Sequence, residues 1–219
     1  WEAWWACELD AHPSVDVTYL DRVLAHYRAF WRRGVSVDIV PPETDLSPYR
    51  LVVVPTLYLV RDSAADNLDR YVRAGGTALV TYFSGIVDHN DHVRLGGYPG
   101  AFRDLLGIRV EEFFPLMDGE TVGLDDGTTG DVWTELLQVR GAEAVARYRD
   151  GVLAGVPAVT RHQAGAGTAW YTATRLDAAG VAILVDRLIA ECGVAPMVGA
   201  PPGVEVVRRT GEGAAYVFV

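Results

Sequence analysis

Residues 49–55 read Tyr-Arg-Leu-Val-Val-Val-Pro and residues 77–82 read Thr-Ala-Leu-Val-Thr-Tyr. The unbroken Leu51-Val52-Val53-Val54 run has no polar alternation, so it predicts a strand covered on both faces. Thr77 to Tyr82 predicts another. Between them, Ala65, Leu68 and Val72 repeat at helical spacing. Ser63 and Asp66 ahead of them resemble a capping box, and Gly75 with Gly76 supplies the stop. Strand, helix and strand in that order imply a parallel pair, because only a crossover helix returns the chain to the same end of a sheet.

Upstream, Val17, Leu20, Leu24, Tyr27 and Trp31 fall on one stripe of a helix expected over residues 16–33, with Arg32, Arg33 and Gly34 as its stop. Val35 to Val40 then reads as a strand. Downstream come a glycine-rich polar loop from Ser84 to Gly100, a short helix near Ala101 to Leu106, and a strand from Ile108 to Phe113. Residues 118–174 lack helical period and read as short strands, over 132–139, 144–149, 158–163 and 168–174. A last helix carries Val181, Leu184, Val185, Leu188 and Cys192 on one face and ends at Gly193. After Pro201, Pro202 and Gly203, residues 204–209 and 214–219 predict a hairpin around the turn signal at 210–213. The expected architecture is α/β: a mostly parallel sheet with helices on both faces, an antiparallel extension and a short C-terminal β hairpin.

The 219 residues carry 19 basic and 29 acidic side chains, a formal charge of −10. That balance disfavours nucleic acid or an anionic membrane as a partner. Apolar runs such as 51–54 and 57–60 fall far short of the roughly 20 residues a bilayer span needs. The two cysteines, Cys7 and Cys192, sit in no ligand spacing; one disulfide is open to them, but a reducing, cytoplasmic compartment is the simpler reading. Trp1 is no start methionine, no targeting segment is visible, and the apolar run ending at Val219 is a marginal hairpin alone. A piece of a longer protein is the expectation.

Chemistry-bearing residues are sparse. Ser84 follows a strand, but a nucleophile elbow wants glycine two positions before it, and Phe83 and Tyr82 precede it instead. As a hydrolase nucleophile it would require a base such as His89 or His92 within hydrogen-bond reach. Asp88, His89, Asn90, Asp91 and His92 have the composition of a metal site, yet without fixed spacing an exposed or interfacial loop with Asx turns is favoured. His12, His26 and His162 are isolated and read as surface or satisfied packing residues. Glu111 and Glu112 are adjacent on a strand, so they point to opposite faces and cannot flank one glycosidic bond. Gly96-Gly97-Tyr98-Pro99-Gly100 lacks the lysine of a phosphate loop. Trp1, Trp4 and Trp5 hold half of the six tryptophans. They read as an anchor against another domain or subunit, or else as the stacking platform of a carbohydrate-binding module.

Several runs, in order, resemble the middle domain of family 42 glycoside hydrolases, the bacterial β-galactosidases. They are Trp4-Trp5-Ala6; Tyr27-Arg28-Ala29-Phe30-Trp31 with Gly34-Val35-Ser36-Val37-Asp38; Tyr49 to Pro55; Phe83 to Asp88; Leu95 to Gly100; and Leu106 to Phe113. The resemblance covers nearly the whole chain. It implies a flavodoxin-like, class I glutamine-amidotransferase-like fold that makes subunit contacts in a homotrimer and cleaves no bond. It divides the chain into a trimerisation domain over 1–198 and, over 199–219, a linker and the start of a small C-terminal β domain. It further implies that a first strand preceding Trp1 is missing, leaving a truncated sheet edge. The family's acid/base lies in an Asn-Glu pair, and its nucleophilic Glu on another strand, of an N-terminal (β/α)8 barrel. Here Asn67 and Asn90 precede Leu68 and Asp91, so no catalytic residue carries over. No cofactor or metal is expected, the partners are sister subunits and the barrel, and this chain alone should not hydrolyse lactose. The contact residues expected are Trp1, Trp4, Trp5, Asp88, His89, His92 and Tyr98.

Overall fold

The computed structural model describes residues 2–9, 12–195, 204, 206–211 and 213–219. Helix α1 (Glu2–Leu9) and helix α2 (Tyr19–Trp31) precede strand β1 (Leu51–Val54), helix α3 (Asp62–Arg73) and strand β2 (Thr77–Thr81). Helix α4 (Arg103–Leu106) leads into β3 (Ile108–Pro115), β4 (Thr121–Gly123), β5 (Thr129–Asp131), β6 (Trp133–Val139), β7 (Glu143–Arg147), β8 (Pro157–Ala164), β9 (Gly167–Thr172) and β10 (Arg175–Leu176). Helix α5 (Ala178–Cys192) and the hairpin β11 (Val207–Gly211) and β12 (Ala214–Phe218) follow.

The main sheet has the order β1-β2-β9-β8-β7. Its first two pairings are parallel and its last two antiparallel. The remaining sheets, β3-β6, β10-β5-β4 and β11-β12, are antiparallel throughout. The flavodoxin-like, amidotransferase-like parallel sheet expected above is therefore not what forms: the strands are mostly antiparallel and the helices few. A parallel pairing needs a helical crossover, and α3 alone supplies one between consecutive paired strands. Beyond residue 107 the strands follow one another through turns, as at Gly165 (φ 63°) between β8 and β9, and every pairing of β3 to β10 with one another is antiparallel.

Three local expectations also change. Among the described residues Val35 to Val40 pairs with no strand. Leu51, Val52 and Val53 are half-buried rather than enclosed, because β1 is an edge of the sheet. Helix α2 buries His26, Ala29 and Phe30, whereas Leu20 and Leu24 each stay 39% exposed. Tertiary anchoring sets that face: Arg33 pairs with Asp186 of α5 and donates to the Ala182 carbonyl at 2.7 Å. The supposed capping box is absent too, since Ser63 lies inside α3 and Arg61 is its N-cap.

Two apolar clusters cover the two faces of the main sheet. One joins Val54, Val80 and Tyr171 to Leu68 and Val72 of α3 and to Leu105 and Leu106 of α4. The other joins Leu79, Val159 and Trp170 to Phe30 of α2 and to Val181, Leu184, Val185 and Leu188 of α5. Helix α5 begins where the Asp177 carboxylate accepts from the Gly180 N–H at 2.7 Å and ends at Gly193 in the left-handed region. Asp177→Ala should cost about 1 kcal/mol, read as a lowered urea midpoint at unchanged slope; an unchanged midpoint would contradict the cap. Among the described residues no helix is long and apolar enough to cross a membrane.

Candidate functional site

Two elements carry the expected contact residues. The first is α1. Cys7 is 1% exposed, packing in a third cluster with Val17, Tyr58, Tyr82, Phe83 and Trp133. Burial pushes its thiol up to about 12, so it is a small hydrophobe and not a nucleophile. Arg61 donates to both carboxylate oxygens of Glu2 at 2.8 Å and holds that carboxyl below its ordinary value. Glu8 caps the next helix, accepting from the Tyr19 N–H at 2.9 Å. With the helix pinned at both ends, Trp5 and Leu9, four residues apart on one face, point outward at 58% and 80% exposure. Trp4 is half-buried, so successive indoles do not make one flat stacking platform. Trp1 lies outside the described residues.

The second element is the loop after β2. The Gly85 and Ile86 N–H groups donate to the Leu57 and Tyr58 carbonyls at 2.8 and 3.0 Å, and Ile86 and Val87 are buried. The Asp88 carboxylate accepts from the N–H groups of Asn90 (2.8 Å) and His92 (3.1 Å), which lower its pKa. That is an Asx turn. His89 and His92 are exposed at the tip, and the neighbouring Val93 and Leu95 are exposed too. Arg94 donates to the Val60 carbonyl at 2.6 Å, and Arg103 to the Leu95 and Gly97 carbonyls at 3.0 and 2.8 Å. Tyr98 packs against Phe113 with ring centroids 4.4 Å apart, at the base of the loop rather than its tip. Among the described residues no group of three or more His, Cys, Asp or Glu side chains could hold a metal ion.

Ser84 fails as a nucleophile. It is 0% exposed, and its Oγ accepts from the Leu57 N–H at 3.0 Å. The described histidine ring nitrogens bond elsewhere: His12 to the Ala6 carbonyl, His26 to Arg22, His162 to Leu105, His89 to Asn90, with His92 beside Asp88. Glu111 and Glu112 are both exposed on β3, where the register shifts between Val110 and Glu112, and Arg109 pairs with Glu111 at 3.3 Å.

Among the described residues no reactive constellation is assembled, and α1 and the loop after β2 are braced and face outward. Residues 1–195 match the family model of the beta-galactosidase trimerisation domain. The chain belongs to that family. The beta-galactosidase of Arthrobacter sp. is 52% identical over 219 residues, covering 100% of this chain and 32% of its own length. Beta-galactosidase LacZ of Heyndrickxia coagulans is 43% identical, covering 97% of this chain and 32% of its own. The crystal structure of beta-galactosidase from Bacillus circulans sp. alkalophilus superposes with a TM-score of 0.94 at 35% identity, over 99% of this chain and 34% of that one. The trimerisation domain thus spans about a third of the length of these relatives, and it is a non-catalytic part.

One buried group of the trimerisation domain escaped sequence reasoning. Glu135 is 0% exposed. Its Oε1 accepts from the Trp133 indole N–H at 2.9 Å and the Phe83 N–H at 3.2 Å, and its Oε2 from the Tyr171 hydroxyl at 2.6 Å. Burial, outweighing these donors, pushes its pKa up to about 7. The available signal was alternation: Trp133, Glu135 and Leu137 share one face of β6, and that face is buried.

Proposed function

We propose that this domain joins the subunits of a β-galactosidase into a homotrimer, while a catalytic barrel elsewhere on the longer polypeptide cleaves terminal β-galactosides. The observation that carries the reading is the match of residues 1–195 to the trimerisation domain. The exposed Trp5 and Leu9 on a helix pinned by Cys7, Glu2 and Glu8 support it, because a braced apolar face loses little entropy on docking. In this reading Trp1, Trp4, Trp5 and the loop bearing Asp88, His89, His92 and Tyr98 meet a neighbouring subunit or the barrel. Residues 1–198 form the assembly unit, and 199–219 are a linker and the start of a small β domain. The parent enzyme works in the cytoplasm, consistent with two free cysteines.

Light scattering of the full-length enzyme, with and without this segment, tests the role. The intact enzyme should weigh as three subunits and the truncated one as a single subunit. A trimer that persists after removal overturns the assignment. Trp5→Ser in the intact enzyme should weaken association by roughly tenfold or more if Trp5 is an anchor.

A further inference from the structure

Asp-Gly pairs stand at residues 118–119, 126–127 and 150–151. In such a pair the backbone nitrogen of the glycine can attack Cγ of the aspartate, because no Cβ on the glycine hinders the approach. The nitrogen gives up its proton, the carboxyl hydroxyl leaves as water, and a five-membered imide closes. Water then opens the ring. Attack at Cγ restores aspartate, whereas attack at the former main-chain carbonyl leaves the chain running through Cγ, which is isoaspartate. One water is released and one is consumed, so the sum is an isomerisation. Two conditions decide which pair enters this cycle: the carboxyl must be free to turn toward the nitrogen, and the glycine N–H must not be held by an acceptor.

Two of the pairs are tied down. Asp126 Oδ1 accepts from the Thr128 N–H at 3.1 Å and the Thr128 hydroxyl at 2.6 Å, and the Gly127 N–H donates to the Leu124 carbonyl at 3.2 Å. Asp150 Oδ1 accepts from the Gly123 N–H at 3.0 Å, and its Oδ2 meets Arg149 at 3.1 Å. Those donors, the Gly123 N–H first, hold the Asp150 carboxyl below its ordinary value, so it keeps the charged form that expels its oxygen poorly. Asp118 differs on each count. It is exposed, and among the described residues no donor holds its carboxylate and no backbone carbonyl accepts from the Gly119 N–H. The pair forms the two central residues of a turn closed by the Glu120 N–H on the Met117 carbonyl at 2.9 Å, with Gly119 at φ 77°.

We infer that Asp118-Gly119 is a site of spontaneous isoaspartate formation in the folded protein, and that the fold protects Asp126 and Asp150. The product is accommodated as well. It adds one methylene to the main chain, but β3 and β4 are not paired with each other, so a longer turn between them shifts no ladder. A Cβ at Gly119 would meet nothing within 4 Å, which leaves the rebuilt turn room. Net charge is unchanged, so the modification is silent in isoelectric focusing.

Ageing the intact full-length protein in warm neutral buffer tests this, whatever that protein's activity or oligomeric state. Isoaspartate is located by electron-transfer fragmentation of peptides and by methyl transfer from S-adenosylmethionine with an isoaspartyl methyltransferase. Each hydrogen bond to a carboxylate that must open first slows ring closure by roughly tenfold, so residue 118 should exceed 126 and 150 by about that factor or more. In urea, where those bonds are gone, the three should convert at equal rates. Equal conversion in the folded protein overturns the inference, and so does a preference for 118 that persists in urea. No conversion at 118 after the unfolded chain has reacted at all three overturns it too. Asp118→Glu, which would have to close a six-membered ring, should lose the signal at 118 with an unchanged melting temperature; a signal that survives counts against the assignment.

Discussion

Glu135→Ala is expected to lower the unfolding free energy by about 3 to 5 kcal/mol, because it strands three buried donors at once, each worth roughly 1 to 3 kcal/mol when unpaired. Those donors are the Trp133 indole, the Phe83 N–H and the Tyr171 hydroxyl. Glu135→Gln keeps the shape and an amide oxygen for the first two, so its cost should be near 1 kcal/mol. The pair of variants also reads out the proton. Burial holds the Glu135 carboxyl at about 7 in the folded chain against 4.5 in its ordinary state. Between those values the folded state keeps a proton that the unfolded state releases. Stability due to Glu135 is therefore fully present below pH 4.5 and is lost as pH rises through about 7, with a slope of up to about 1.4 kcal/mol per pH unit. The titratable neighbours are Tyr171 and Tyr148, both held well above their ordinary range, so neither titrates in that window. Urea unfolding of the wild type minus Glu135→Gln at pH 5, 6, 7 and 8 isolates the effect. A difference that is flat, or that grows with pH, would refute it.

Gly167→Ala should be nearly as damaging, by about 3 kcal/mol or more, at the upper end of overpacking effects. A Cβ there would stand 2.1 Å from the Val72 carbonyl oxygen and 2.2 Å from that of Gly76. Both atoms are backbone, so no side chain can swing aside. Nor can the strand retreat. Strand β9 is hydrogen-bonded between β2 and β8, and the Thr168 N–H is tied to the Gly76 carbonyl at 3.1 Å. For a chain of this size the loss corresponds to a melting temperature lower by roughly 6 to 12 °C. Gly211→Ala is the matched control: a Cβ there meets nothing within 4 Å, and the change should stay within about 0.5 kcal/mol. Equal melting temperatures for the two variants would show that β9 yields where the packing says it cannot.

The features legible from the residues alone are local or collective. Continuous apolar runs located β1 and β2, 3.6-residue spacing located α3 and α5, and the ordered set of short motifs pointed to the family that residues 1–195 match. Each of those signals is carried by neighbouring residues or by their order along the chain. The strand order of the main sheet, the buried face of α2 and the enclosure of Glu135 were decided only by long-range contacts. Glu135 meets Tyr171 and Phe83 at separations of 36 and 52 residues, and Arg33 meets Asp186 across 153. Val35 to Val40 shows the same division. Its alternation is that of a strand, but a strand exists only when another backbone supplies the hydrogen bonds, and no local pattern records whether that partner is there.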